Sequence, residues 1–274
     1  MHSITSKGRL FTLDSPKVMG ILNTTPDSFY AESRTSTHAI IDLAGQMTAE
    51  GADILDMGGQ STRPGSVQIP AEAEIERVVP AIEAVRKAFP DCWISIDTYY
   101  HKVAKAAVAA GADMVNDISA GDDDEDMLPL VASLGIPYIA MHKKGRPETM
   151  QLQPTYTQVT QDVIDYFTKK SALFQSLGIQ DWILDPGFGF GKTLEHNYTL
   201  LRELETLQLF DRPILVGLSR KGMIQKVLGT DSAGALQGTM ILNTVALERK
   251  AMLLRVHDVR EAQDCIKLYK ALYS

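Results

Sequence analysis

The feature that most constrains the fold is an alternation repeated eight times: a short β-rich run ending in a polar residue or glycine, then an amphipathic stretch of helical period. The runs are Lys17 to Asn23, Ala52 to Met57, Trp93 to Asp97, Asp113 to Asp117, Ile136 to Met141, Trp182 to Asp185, Pro213 to Leu218 and Met252 to Val256. Helical patterns follow at Thr37 to Glu50, Pro70 to Phe89, Tyr99 to Ala110, Asp124 to Leu134, Tyr156 to Leu177, Leu194 to Leu209, Ala233 to Glu248 and Val259 to Leu272. The repeat is about 34 residues, close to one βαβ unit. Gly51, Gly111, Gly135 and Gly178 stand where left-handed C-caps are wanted. The Gly- and Pro-rich segments 58–65 and 186–191 follow strands and precede helices, so they read as βα loops and not as linkers. Eight such units in 274 residues predict a (β/α)8 TIM barrel, one domain spanning 1–274, in preference to an open doubly wound sheet. A strand over Arg9 to Leu13, followed by Asp14-Ser15-Pro16, is placed to form a short N-terminal β-hairpin at the barrel bottom.

Composition narrows the partners. Lys and Arg number 27 against 34 Asp and Glu, a formal charge of −7. A surface of that sign repels a nucleic-acid backbone, yet leaves room for a local basic pocket holding one small anion. No uncharged apolar stretch approaches the roughly 20 residues of a membrane helix. The N-terminal residues include basic side chains with no apolar core after them, so a secretory signal is not expected and the cytoplasm is the default. Cys92 and Cys265 are far apart and share no CxxC spacing, which favours free thiols.

In a barrel of this kind the active site lies at the C-terminal strand ends. Those ends deliver Asn23, Asp56, Asp97, Asn116 with Asp117, His142, Asp185, Ser219 with Lys221, and Arg255 with His257, while the opposite ends supply Trp93, Trp182, Pro137 and Pro213. Singly, each polar residue has a plain role: Asp97 as a helix N-cap, Asp185 as a turn former before Pro186, Asn23 or Asn116 as a loop cap. Together they would leave buried acceptors unsatisfied unless a ligand with matching donors sat among them. A flat heterocycle with an amidine-like edge has such donors. A basic set of Arg63, Lys221, Arg255 and His257 accompanies them, and the loops after the last two strands are the common phosphate site of the fold. Lys221 begins a helix, where the dipole disfavours a cation unless an anion or an Asp compensates. Two near-misses stand apart. Pro186 to Thr193 approaches a Walker A loop but has Pro186 where glycine is needed, which leaves Lys192 as a surface residue. The acidic run Asp122 to Asp126 lacks EF-hand spacing and reads as a solvated helix start.

Seven segments carry a family resemblance: Gly20 to Phe29, Asp56 to Gly65, Ser95 to Thr98, Met141-His142 through Gln151, Asp185 to Phe190, Gly217 to Lys221 and Leu254 to Val259. In this order they closely resemble the dihydropteroate synthases. The resemblance implies condensation of 7,8-dihydropterin-6-ylmethyl diphosphate with p-aminobenzoate, giving 7,8-dihydropteroate and pyrophosphate in folate biosynthesis. It implies that Asp97, Asn116, Met141, Asp185, Lys221 and Arg255 bind the pterin. Asn23, Thr62, Arg63, Arg255 and His257 would bind pyrophosphate, Asn23 carrying Mg2+. Phe29, Thr62, Arg63, Pro64, Phe190 and Ser219, with Lys221, would bind p-aminobenzoate. Asp97, Lys221, Arg255 and Arg63 are the implied catalytic group, and a homodimer through the outer helices is the implied assembly. The chain departs from the family pattern at Tyr30 to Arg34, where Ser-Asp-Gly-Gly commonly follows the Phe, and at Gln60, where Glu is usual. Two alternatives are a pterin-binding barrel that transfers methyl groups to a corrinoid and a catalytically inactive pterin-binding paralogue. The basic set argues against the first.

Overall fold

Alternate side chains of each β-rich run point into a shared interior, and this period of two builds the molecule. The structure is a computed structural model and describes residues 2–24, 33–60, 68–145 and 154–273. Strands β1 (His2–Ser6) and β2 (Arg9–Leu13) form an antiparallel hairpin. Its two-residue turn, Lys7-Gly8, has φ of 51° and 77°, the pair of left-handed conformations that matches strand twist in tight hairpins.

Eight parallel strands follow: β3 (Lys17–Asn23), β4 (Ile54–Gly58), β5 (Trp93–Asp97), β6 (Met114–Asp117), β7 (Tyr138–Met141), β8 (Trp182–Asp185), β9 (Leu215–Val216) and β10 (Leu253–Val256). They pair in the spatial order β8-β7-β6-β5-β4-β3-β10-β9, and a parallel bridge from Leu184 to Ile214 links the two ends into a barrel. Between them lie α1 (Ser33–Ala49), α2 (Ala71–Ala88), α3 (His101–Ala110), α4 (Met127–Leu134), α5 (Val159–Leu177), α6 (Leu194–Arg202), α7 (Gly222–Leu228) and α8 (Leu236–Glu248), with α9 (Val259–Tyr273) last. The expected single-domain (β/α)8 barrel is the observed fold.

The barrel interior is layered. Each strand gives one apolar residue to the bottom layer: Met19, Ile54, Trp93, Met114, Ile139, Ile183, Leu215 and Leu253. Ile4, Phe11 and Leu13 of the hairpin complete that cluster from below, with Phe11 against Trp93 at 5.1 Å between ring centroids. Lys7 and Ser6 fasten the hairpin by donating to the carbonyls of Val108, Ala112 and Asp113. The hairpin therefore plugs the barrel bottom as its position in the sequence suggests. Side chains on the other face of the strands, such as Leu55, Ile94, Val115, Ala140 and Val256, pack under the helices.

Several element bounds differ from the periodicity reading. The pattern at Leu194 to Leu209 splits into α6 and a 3-10 turn at Leu204–Phe210, and the helix expected to begin at Lys221 is the short α7. The acidic run does not open a solvated helix. Helix α4 starts only at Met127, because three of these carboxylates bind elsewhere: Asp122 to Lys170, Asp123 to Lys143, and Asp124 to the backbone and ring of His101. Gly135 and Gly178 take the expected left-handed C-cap conformation, with φ of 58° and 77°. The thiols are free, and among the described residues no helix is long and apolar enough to cross a membrane.

Candidate active site

Two residues further along each strand than the apolar layer, side chains point to the same interior. Those positions hold Ile21, Asp56, Ser95, Asn116, Met141, Asp185, Gly217 and Arg255. The polar tier expected at the strand ends is therefore the next interior layer up, with Asn23, Asp97, Ser219 and His257 one step above it.

Arg255 organises this tier. Its Nε donates to Asp56 Oδ2 at 2.6 Å and its Nη2 to Asp97 Oδ2 at 2.6 Å. Asn116 Nδ2 donates to the same Asp56 oxygen at 3.1 Å. Asp56, which no sequence motif had assigned a role, is thus central: it lies at the strand tip and 1% exposed. Asp97 is not an N-cap, since α3 begins after Tyr100. Burial pushes the Asp97 carboxyl up, the Arg255 guanidinium opposes it, and the carboxylates of Asp56, Asp117 and Asp185 reinforce the rise. Burial also raises Asp185, against the pull of Lys221. Three buried polar atoms here have no partner: Asp56 Oδ1, Asp97 Oδ1 and Ser95 Oγ. Unsatisfied buried acceptors are costly, and a ligand presenting N–H groups would satisfy them.

Lys221 stands at the N-cap of α7, donates to the Phe188 carbonyl, and places its ammonium 4.7 Å from the centroid of the Phe190 ring. Burial lowers its pKa to about 8, with Asp185 opposing. Asp185 itself accepts from the backbone N–H of Gly187 at 2.8 Å. Met141 is buried with Tyr99 and Ile118, and Phe190 packs beside them. Past the ends of β9 and β10, the Ser219 hydroxyl lies 2.9 Å from His257 Nδ1 and also accepts from the His257 backbone N–H. Asn23 ends β3, the strand paired to β10, so Asn23, Ser219 and His257 occupy neighbouring strand tips. Phe29, Thr62, Arg63 and Pro64 lie outside the described residues.

Two residues behave differently from their sequence reading. Lys192 is not at the surface: it is 2% exposed, and its ammonium meets His142 Nδ1 at 3.0 Å and the carbonyls of Gly187 and Phe190 at 2.9 and 3.2 Å. Its head group is satisfied by the loops after β7 and β8, which is not the arrangement of a phosphate-binding lysine. Gln60 is buried and donates to Glu74 Oε2 at 2.8 Å, while it accepts from Tyr99 OH at 3.2 Å. Burial, then the charge of Asp97, push Glu74 up to about 8. An amide at position 60 gives this carboxyl a donor where a second carboxyl would add a like charge.

A sequence model of the family described as "Pterin binding enzyme" matches residues 19–257. The chain belongs to the pterin-binding enzyme family. It is 40% identical to the dihydropteroate synthase of Escherichia coli K12 over 98% of this chain and 96% of that one. Among solved structures it resembles the Xanthomonas albilineans dihydropteroate synthase with 4-aminobenzoic acid, at a TM-score of 0.92 and 37% identity, covering 99% of this chain and 98% of the other. The same bacterial enzyme in complex with 7,8-dihydropteroate aligns with a TM-score of 0.90 and 35% identity, over 100% and 99% of the two chains. Within this pterin-binding barrel the polar tier is anchored by one guanidinium. Asp56→Asn, which leaves Arg255 with a single carboxylate, is therefore expected to lower stability by about 2 kcal/mol. Urea unfolding measures it, and an unchanged midpoint would show that the Asp56 contact carries no stability.

Proposed function

We propose that the protein is a dihydropteroate synthase, joining 7,8-dihydropterin-6-ylmethyl diphosphate to p-aminobenzoate with release of pyrophosphate, in folate biosynthesis. The observation that carries this reading is the pair of open carboxylate oxygens on Asp56 and Asp97, beside Asn116, Asp185 and Lys221, at the mouth of a barrel of this family.

In this reading the pterin edge gives its ring N–H and amino protons to Asp97 and Asp185, Asn116 completes the edge, and Met141 packs on the ring. Lys221 donates to an acceptor of the heterocycle. Arg255, held in plane by two carboxylates, faces the ring and the leaving group together. The diphosphate is bound by Asn23 and His257 at strand tips, where barrels of this kind favour phosphate, and by Thr62 and Arg63 of the family motif. Ser219, Phe190 and Lys221, with Phe29, Thr62, Arg63 and Pro64, form the p-aminobenzoate pocket.

Arylamine nitrogen is a weak nucleophile, so the chain's task is to ease departure of pyrophosphate. The C–O bond to the diphosphate breaks ahead of C–N bond formation, and the electron-rich pterin carries the developing positive charge. Asp97 stabilises that charge, while Arg63, Arg255 and His257 stabilise the charge on the departing pyrophosphate; such preorganised electrostatics is a large source of catalysis. Asn23 offers a hard neutral oxygen of the kind Mg2+ accepts alongside substrate phosphates and water, and Asp56 and Asp97 are already engaged by Arg255. Mg2+ there would neutralise the leaving group.

The proposed assembly is a homodimer. The outer faces of α7, α8 and α9 carry a run of exposed apolar side chains, Val227, Leu228, Ile241, Val245, Leu268 and Leu272, with Ile241 63% exposed. A face of this kind on adjoining helices is suited to a second copy. Light scattering is expected to give twice the chain mass, and Ile241→Glu to shift it toward the monomer; a monomeric wild type would refute the assembly.

Two assays test the chemistry. The purified protein with the pterin diphosphate, p-aminobenzoate and Mg2+ is expected to release pyrophosphate, and no release above a protein-free blank would refute the synthase reading. Asp97→Asn should slow that release by more than about tenfold; a change under about threefold, less than 1 kcal/mol, would remove Asp97 from the charge-stabilising role. The second assay follows pH. Lys221 is an ammonium below about pH 8 and loses its proton above it, so kcat/KM should fall on the alkaline side of about 8. Lys221→Met should lower the plateau and remove the part of that limb centred near 8.

A further inference from the structure

The loop between β8 and α6 contains a buried lysine that the proposed chemistry does not use, its pKa lowered to about 7 by burial with Asp185 opposing. Lys192 Nζ is within hydrogen-bond distance of four acceptors: His142 Nδ1 at 3.0 Å, Gly187 O at 2.9 Å, Phe190 O at 3.2 Å and His142 O at 3.3 Å. Two of these belong to the segment after β7 and two to the loop after β8, so one ammonium joins consecutive loops at the barrel mouth. The loops meet backbone to backbone. A Cβ on Gly187, at φ 71°, would collide with the His142 carbonyl, and one on Gly191, at φ 61°, with the Lys144 carbonyl. From the other side Asn197 accepts from Gly189 N at 2.7 Å and donates to the Thr193 carbonyl at 2.6 Å.

What this staple fixes is the far half of the site. The Gly187 N–H orients Asp185, the Phe188 carbonyl accepts from Lys221, and the Phe190 ring faces the Lys221 ammonium. All three groups lie in the stretch whose carbonyls Lys192 gathers. Resting on the synthase reading, we propose that Lys192 is a positioning residue for the reaction: it holds the β8–α6 loop against the β7 loop so that Asp185 and Lys221 are presented together to the pterin.

The geometry explains why a lysine stands there. The ammonium on a long stem offers three protons to four converging acceptors, one proton being shared, a cluster that a planar head could not match. Burial keeps the His142 ring neutral, the form whose Nδ1 can accept. Lys192 is also one of three cations acting on Asp185, with Lys221 and Arg255, while Asp97 faces it from β5. Its removal should let Asp185 bind a proton at higher pH.

The test is steady-state kinetics of the full chain with the pterin diphosphate and p-aminobenzoate. Lys192→Met is expected to raise KM for the pterin substrate at least tenfold while kcat stays within about threefold. The part of the acid limb of kcat/KM that Asp185 contributes should move to higher pH, because one of the cations holding its carboxylate ionised is gone. Thr193→Ala, which removes the α6 cap without touching the loop carbonyls, is the control for lost stability alone, and should leave KM and the acid limb in place. A wild-type KM and pH profile in the Met variant, or an equal KM rise in Thr193→Ala, would overturn the proposal. Should the Met variant not fold, Lys192→Arg keeps the charge but cannot set one nitrogen among the carbonyls; it is expected to raise KM with the acid limb unmoved, and an unchanged KM overturns the proposal. An inactive wild type would instead refute the synthase reading on which the proposal rests.

Discussion

The ion triad of Asp56, Arg255 and Asp97 is the interaction on which the rest of the site depends. Three carboxylates, an amide and a lysine gather at the upper end of a closed barrel, and without a central cation the carboxylates would repel one another. Arg255 reaches from β10 to the tips of β4 and β5, with both contacts at 2.6 Å. Relative to an apolar replacement a buried triad of this kind adds little stability, because desolvation offsets the attraction, while loss of one partner leaves a buried charge short of compensation. Its effect here is orientation: each carboxylate gives Oδ2 to the guanidinium and leaves Oδ1 open. These two buried acceptors are left without a partner within the chain.

That tier needs a rigid support, and the period of two along each strand supplies it. The eight apolar residues below it, closed by the hairpin residues Ile4, Phe11 and Leu13, form a dry floor. The same alternation that buries Ile54 places Asp56 above it, and that which buries Leu253 places Arg255 there. Packing and chemistry are thus separated by one step of a strand. Loop interlocking finishes the mouth, where Gly187 and Gly191 allow backbones to approach closely and Lys192 satisfies the carbonyls brought together.

The departure at Gln60 fits the same electrostatic logic. Glu74 is fully buried near Asp97, and Gln60 offers it an N–H while taking the Tyr99 hydroxyl on its oxygen. The site already concentrates carboxylates, and an amide at this position adds none.

Much of this was legible in the sequence because periodicity encodes it. Eight βα units, the hairpin at the bottom and the polar strand tips all follow from local alternation and turn residues, and the motifs around Asp97, Asp185 and Lys221 marked the family. Residues whose roles depend on partners distant in sequence were not legible. Asp56 gained its importance from Arg255, 199 residues away, and Lys192, read as a surface cation, is buried because the loop after β7 closes over it. The acidic run is more than a helix start for the same reason, since Lys143, Lys170 and His101 from other elements bind three of its carboxylates. The sequence by itself determined the barrel and which face carries the chemistry, because backbone period is a local property. Only the tertiary structure decided which charges are paired and which oxygens stay open, because pairing depends on how the closed barrel brings separate strand tips within reach of one another.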